Sequence, residues 1–471
     1  MSYNILATTD DFTVVSEYIP SEKTVTAYES EEQLENRLIQ SLKLQGYEYV
    51  EIHSESELIQ NLRIQLEKLN DISFTDREWD TFYHANLSNP TQHIQEKTRS
   101  IQEDHVKSIR REDGSIANIK LIDKTYPFKN SVQVMHQYEV IGTHKNRYDV
   151  TILINGIPLV HLELKRRGVS IKEAFHQINR YQKESFWAGS GLFEFIQIFI
   201  ISNGTETKYY SNTTRDIQVK TAKGICSRKV SKSFEFTSYW SDAKNQPILD
   251  LIDFSKTFLT KQTILNLLVH YCVFTTDQTL MVLRPYQIVA VESILNKIKI
   301  SSNYHTFSCP DAGGYLFHTT GSGKTLSSFV TAKRVSELED IDKVLFVVDR
   351  KDLDSQTIAE YEKFQKGAVN GNESTKELQC QLEDVDLHGN FHPSPIIVTT
   401  IQKLGLFVKK NPKHPVYEKH VVLIFDECHR SQFGDLHRKI SKAFKKYHMF
   451  GFTGTPIYAK NQNKTNALGI V

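Results

Sequence analysis

Short apolar runs punctuate an otherwise polar chain. Phe195–Ile201 (FIQIFII), Val344–Val348 and Val421–Phe425 (VVLIF) are continuous enough to read as strands buried on both faces, and Ile396–Thr400 reads as a further strand. Elsewhere the spacing is helical. In Tyr28–Gly46, Leu34, Leu38 and Leu42 line one face with Ile39 beside them. Ser30 and Gln33 stand at capping-box positions, and Gly46 marks the end. Glu31 and Glu35 share a neighbouring face. Such residues are most often solvated helix charges, and Glu35 is in addition a candidate neighbour of a metal site. Residues 55–125 read as mixed polar helices with a turn at Asp113-Gly114, Ser131–Val140 as a strand, and 365–395 as a polar surface insertion.

Two strand-like stretches, Arg147–Ile154 and Ile157–Lys165 (IPLVHLELK), flank Asn155-Gly156, the strongest short hairpin signal. The register decides whether this hairpin carries chemistry. A plain two-residue turn sets Ile154 against Ile157 and leaves Asp149 on the face of Leu162. A three-residue or bulged turn brings Asp149 opposite Glu163. A carboxylate pair that shares a metal needs the second arrangement, so that turn is expected, with Asp149, Glu163 and Lys165 projecting from one face. Two hard oxygen donors suit Mg²⁺. A lysine beside them can orient or help deprotonate a water and stabilise charge on an attacked phosphate. Glu-Leu-Lys in a strand is common, and an ordinary surface hairpin is the plain alternative. Leu159, Val160, Leu162 and Leu164, apolar on both faces, put Glu163 and Lys165 near a core instead. A helix over 170–185 then places Gln177 and Tyr181 one turn apart on one face, before the strand 195–201. Hairpin, crossover helix and buried strand describe the core of a PD-(D/E)xK nuclease. Tyr148 stands where that motif's proline would be.

A second chemistry lies in Tyr315–Lys333. An apolar lead-in, Thr320-Gly321-Ser322-Gly323-Lys324-Thr325 and an amphipathic helix follow one another as strand, glycine turn and helix N-terminus. Gly321 and Gly323 let backbone N–H groups approach phosphate oxygens, with Ser322 between them. Lys324 would neutralise the β- and γ-phosphates, Thr325 would hold Mg²⁺, and the helix dipole adds to the anion's stabilisation. His318 replaces the first glycine of the strict pattern. The strand Val421–Phe425 ends in Asp426-Glu427, where Asp426 can bind Mg²⁺ and Glu427 can polarise the attacking water. A chance glycine turn is the bland reading, and the acidic strand end weighs against it.

Composition changes the picture little. The 57 Lys and Arg against 56 Asp and Glu leave a net charge of +1, so any DNA contact must be local rather than a bulk effect. Cys226, Cys272, Cys309, Cys380 and Cys428 form no Cys-x-x-Cys pair, which excludes a zinc ribbon and suits a reduced compartment. No signal peptide and no 18-residue apolar run occur, so the expectation is a cytoplasmic protein without membrane contact.

Arg147–Lys165 with Gln177-Ile-Asn-Arg-Tyr181 resembles the nuclease domain of the restriction (R) subunit of type I restriction-modification enzymes. The likeness runs over about residues 20–471. In that family a Gln-x-x-x-Tyr motif follows the nuclease core; it implies that Gln177 and Tyr181 support cleavage, through DNA contacts. Leu283–Gln287 resembles the adenine-reading element of superfamily 2 motors, with Gln287 on the adenine edge. Arg350 and Lys351 are placed for phosphate contacts to DNA, and Thr399, Thr400, Gln402 and Lys403 match a second DNA-contacting element. Phe452–Pro456 matches the element coupling hydrolysis to DNA movement. The order, nuclease before motor, fits type I rather than type III enzymes. The resemblance implies an α/β chain with a mixed-sheet nuclease domain (1–250), a helical linker (251–280) and a first RecA-like lobe with a parallel sheet (281–471). No second lobe is expected in the 15 residues after Pro456, so this chain by itself is expected to turn over ATP only at background rates. It further implies ATP-driven translocation of double-stranded DNA coupled to Mg²⁺-dependent cleavage, with methylation (M) and specificity (S) subunits as partners. A translocase without nuclease activity is the rival reading, and Asp149, Glu163 and Lys165 occurring together weigh against it. A non-catalytic nucleotide-binding scaffold is opposed by the presence of Lys324 and Glu427.

Overall fold

The computed structural model describes residues 4–8, 13–17, 29–141, 145–184, 191–213, 234–242, 244–319, 322–348, 363–364, 375–386, 388–426 and 435–454. The chain divides into two compact units, Met1–Ile5 with Asp10–Pro285 and Leu6–Thr9 with Tyr286–Val471.

The first unit is built on a six-stranded mixed sheet. Its strands are β1 (Glu48–Tyr49), β2 (Val132–Ile141), β3 (Lys145–Ile154), β4 (Ile157–Leu164), β5 (Ile198–Ser202) and β6 (Thr207–Ser211), lying side by side as β6-β5-β4-β3-β2-β1. β2, β3 and β4 form an antiparallel meander. Each position of β4 and β5 is buried, as continuous apolar runs require. Three helices serve this sheet: α1 (Glu31–Leu44), α2 (Glu55–Asn70) and α3 (Ile171–Glu184). α1 buries Leu34, Leu38 and Leu42 completely. Its capping box is closed as the sequence predicts, Ser30 Oγ accepting from Gln33 N and Gln33 Oε1 accepting from Ser30 N. α3 is the crossover that returns the chain to β5, parallel to β4.

The hairpin loop differs from the expected one. It is a two-residue turn, Asn155 and Gly156 both at positive φ (51° and 79°), with Ile154 facing Ile157. Such a turn matches the twist of the strands it joins. The extra residue lies further on: Leu153 pairs with Pro158 but Ile152 pairs with Val160, so Leu159 bulges. Pro158 has no N–H for the ladder, which is where pairing yields most easily. Beyond the bulge Val150 faces Leu162, and one step on Asp149 comes opposite Glu163. A Cβ on Gly156 would stand 2.6 Å from Leu62 Cα of α2. Gly156→Ala is therefore expected to destabilise this unit by about 2–5 kcal/mol, combining about 1–2 for the left-handed backbone and about 1–3 for overpacking. Urea unfolding of the variant against the parent measures it.

Two other expectations are revised. Within 55–125, Val106–Arg110 and Ile116–Lys120 pair as a hairpin around Asp113-Gly114 instead of extending the helices. Residues 251–280 are no free-standing linker: Leu251, Phe254, Leu267 and Leu268 are buried within the first unit.

The second unit carries five parallel strands, β7 (Gly313–Phe317), β8 (Lys343–Val348), β9 (Ile396–Thr400), β10 (His420–Phe425) and β11 (Lys446–Thr453), in the order β7-β11-β10-β8-β9. Its helices are α4 (Pro285–Asn303), α5 (Lys324–Ser336), α6 (Thr375–Glu383), α7 (Ile401–Lys410) and α8 (Asp435–Ala443). The apolar runs predict these buried strands, and the parallel sheet is the one the resemblance implies. The segment 365–395 is more than a surface insertion. Leu378 and Leu382 of α6, one turn apart, join the core with Leu345, Phe407 and Phe444. Lys343, 1% exposed, ties the segment down by donating to Gln381 O at 3.0 Å and Ser394 O at 2.9 Å, and by pairing with Asp384.

Candidate active sites

Asp149 and Glu163 face each other from β3 and β4, 5% and 0% exposed, and Lys165 (8%) follows on the same face. Leu164 N donates to Asp149 Oδ2 at 2.7 Å, fixing that carboxylate against β4. Lys165 Nζ donates to Glu163 Oε1 at 3.3 Å and to Leu164 O at 2.7 Å. Burial first, and the charge of Glu163 second, push Asp149 up to about 7. Burial pushes Glu163 up to about 8, with Lys165 opposing.

Glu35 of α1 belongs to this cluster. It is 1% exposed, and burial together with the Asp149 charge raises it to about 7. The solvated-charge reading of Glu35 is therefore replaced, and its signal was present: Glu35 sits on the stripe of Leu34, Leu38 and Leu42. Gln137, which sequence reasoning passed over, donates to Glu35 Oε2 at 3.1 Å. It lies between the pairs His136–Val150 and Tyr138–Tyr148, opposite Asp149, at φ 54°. A non-glycine residue in that region of backbone space costs energy and collects at functional sites.

Tyr181 does not face outward. It is 2% exposed, its hydroxyl donates to Arg147 O at 2.8 Å and accepts from Gln177, and its ring lies 5.0 Å from that of Tyr148. The Tyr181 hydroxyl is thus tied to β3 through Arg147 O, while Gln177 is partly exposed.

In the second unit, β7 and β10 end near each other with β11 between them. Gly323, at φ 80°, caps α5. Lys324 Nζ lies 3.5 Å from Asp426 Oδ1, so the loop lysine and the strand-end aspartate meet as predicted. Tyr286 OH donates to Ser322 O at 2.6 Å, and Gln287 Nε2 donates to Ser322 O at 3.1 Å and Gly323 O at 3.2 Å. Gln287 thus touches the loop that cradles phosphate, and a Cβ on Gly323 would come 2.5 Å from its Nε2. Thr325 opens α5 at intermediate exposure.

Thr399 and Thr400 are each 3% exposed, and Thr400 Oγ1 accepts from Lys403 N as the cap of α7. Both threonines are thus buried, while Gln402 and Lys403 are partly exposed. Gly321, Arg350, Lys351 and Glu427 lie outside the described residues.

A family model of the type I restriction enzyme R protein N terminus matches residues 28–217, and one of the SWI2/SNF2 ATPase matches 286–470. The endonuclease subunit of the type I restriction enzyme SsaAORF53P of Staphylococcus saprophyticus is 42% identical over 445 residues, 93% of this chain and 44% of that protein. The endonuclease subunit of EcoprrI of Escherichia coli is 46% identical over 297 residues, 63% of this chain and 91% of that protein. The chain belongs to the type I restriction enzyme endonuclease subunits. It spans under half the length of the staphylococcal relatives it matches.

In this family member the first site fits a divalent cation by its donor chemistry. Two buried carboxylates face each other, the Lys165 ammonium lies 3.3 Å from Glu163 Oε1, and Glu163 Oε2, buried, has no hydrogen-bond partner. No group of three or more His, Cys, Asp or Glu among the described residues is arranged to hold a metal. Two carboxylates are what Mg²⁺ ordinarily takes from a protein, the rest of its shell being water and substrate oxygens. Without the ion, the raised pKa values carry a sign. The native state binds protons that the unfolded chain releases near pH 4, so stability of the first unit falls as pH rises from about 5 to 8. Added Mg²⁺ is expected to remove that fall, which thermal unfolding at about pH 5.5 and 8 with and without the ion measures. Among the described residues no helix is long and apolar enough to cross a membrane.

Proposed function

We propose that this chain is the nuclease and first motor lobe of a restriction subunit that moves double-stranded DNA at the expense of ATP and cleaves it with Mg²⁺. The nuclease domain is residues 1–250, with 251–280 packed against it, and the motor lobe is 281–471. Asp149 and Glu163 hold the cation, and Lys165 meets the attacked phosphate from the same face. Bound there, Mg²⁺ supplies Lewis-acid polarisation of a phosphate oxygen. Lys165 steadies Glu163 before reaction and stabilises the charge that develops on the phosphate. Gln177 and Tyr181 hold β3, and with it Asp149, in register. Gly321, Ser322, Gly323 and Lys324 receive the phosphates of ATP, Gln287 sits beside the adenine, Thr325 and Asp426 hold the nucleotide's Mg²⁺, and Glu427 orients the attacking water. Arg350, Lys351, Gln402 and Lys403 contact the DNA backbone. The partners are the M and S subunits of a cytoplasmic restriction-modification complex.

The observation that carries this reading is Asp149 opposite Glu163 beside Lys165, in a chain that also brings Lys324 to Asp426. The test is plasmid cleavage by the full-length subunit assembled with its M and S partners. Cutting that requires both ATP and Mg²⁺ is expected. Cutting that proceeds unchanged without ATP would sever the nuclease from the motor.

A further inference from the structure

His161 stands two residues before Glu163 on β4, so alternation puts His161, Glu163 and Lys165 on one face. Its ring is fully buried, edge-on to Tyr148, Tyr181 and Phe199 with centroids 5.7, 6.5 and 6.3 Å away. Those rings allow it little rotation. Its Nδ1 lies 3.2 Å from Thr151 Oγ1, on the strand opposite, and its Nε2 lies 3.4 Å from Glu163 Oε2. Glu163 Oε1 is taken by Lys165, and Oε2 has no other polar group bonded to it. The two oxygens of one carboxylate are thus addressed from two sides.

We infer that His161 is a positioning residue, donating from Nε2 to Glu163 Oε2 and so holding that carboxylate at the angle at which it and Asp149 bind one divalent cation. The neutral ring has one N–H and one lone pair. The ring also bonds to the Val150 backbone; in the tautomer in which Thr151 Oγ–H donates to Nδ1, the proton lies on Nε2, facing the carboxylate. The separation of 3.4 Å is slightly beyond an ordinary hydrogen bond and closes with a small rotation of Glu163. Partners that orient a metal's ligands in this way are worth about 10–100-fold in metal affinity. The inference rests on the nuclease reading above, and it adds a residue whose role comes from its neighbours rather than from any motif.

Calorimetric titration of Mn²⁺ into the full-length protein, without nucleotide, tests it. The heat lost in Asp149→Ala identifies this site. His161→Leu is expected to weaken that Mn²⁺ site by about 10–100-fold, and His161→Gln, whose amide keeps a donor, to stay within about threefold of the parent. Thr151→Val, nearly isosteric, is expected to weaken the site in the same direction and carries the test alone if His161→Leu fails to fold. Parental affinity in Thr151→Val and His161→Leu overturns the inference. Equal loss in His161→Gln and His161→Leu overturns it too, because the ring would then serve only packing. If Asp149→Ala leaves the parental heat intact, the metal-site reading itself falls, and this inference with it.

Discussion

Glu163→Ala abolishes DNA cleavage by the assembled enzyme and leaves ATP hydrolysis at the parental rate. Glu163 supplies one of two carboxylates on the cation and accepts from Lys165 Nζ. Its loss leaves Asp149 as a single ligand and frees the lysine from its place. Outer partners of a metal site alone cost about 10–100-fold, so removing a ligand costs more than about 10²-fold. The side chain is fully buried in the first unit, while Lys324 and Asp426 lie in the second, so the ATP site keeps its geometry. Gel analysis of plasmid substrate alongside phosphate release reads both. Loss of ATP turnover in this variant would contradict the separation of the two sites.

Lys324→Ala removes ATP hydrolysis and, with it, translocation and cleavage. Lys324 opens the helix that follows the glycine turn, and its Nζ lies 3.5 Å from Asp426 Oδ1. Removing a single preorganised donor from a developing charge costs about 10²–10³-fold. On the proposed function the nuclease acts on DNA that the motor delivers, so cleavage is expected to fall with it. Normal cutting by this variant, with ATP hydrolysis gone, would show the nuclease to be independent of the motor.

The parts legible in the sequence were those with local periodicity or a fixed motif. Ser30 and Gln33 foretold a capping box that is present, the apolar runs foretold the parallel sheet, and the need for two carboxylates on one face foretold Asp149 opposite Glu163. The device that achieves that register was not legible. The loop is the short primed turn, and the slip sits at Leu159 beside a proline, because pairing gives way where an N–H is missing. Burial was the other blind spot. Thr399 and Thr400 carry hydroxyls that read as DNA contacts, yet they close a strand and cap a helix inside the core. The spacing of Gln177 and Tyr181 shows a shared helical face but not its burial, and the ring packing against Tyr148 takes Tyr181 inside. Glu35 was legible as a candidate neighbour of the metal site, and His161 shares the strand face of Glu163 and Lys165.

Anomalous diffraction from crystals of the protein soaked in Mn²⁺ reads out whether Asp149 and Glu163 share one divalent cation. A peak is expected about 2.0–2.4 Å from a carboxylate oxygen of each residue, absent in crystals of Glu163→Gln. A fully occupied Mn²⁺ elsewhere in the first unit, with nothing between these two carboxylates, would contradict it.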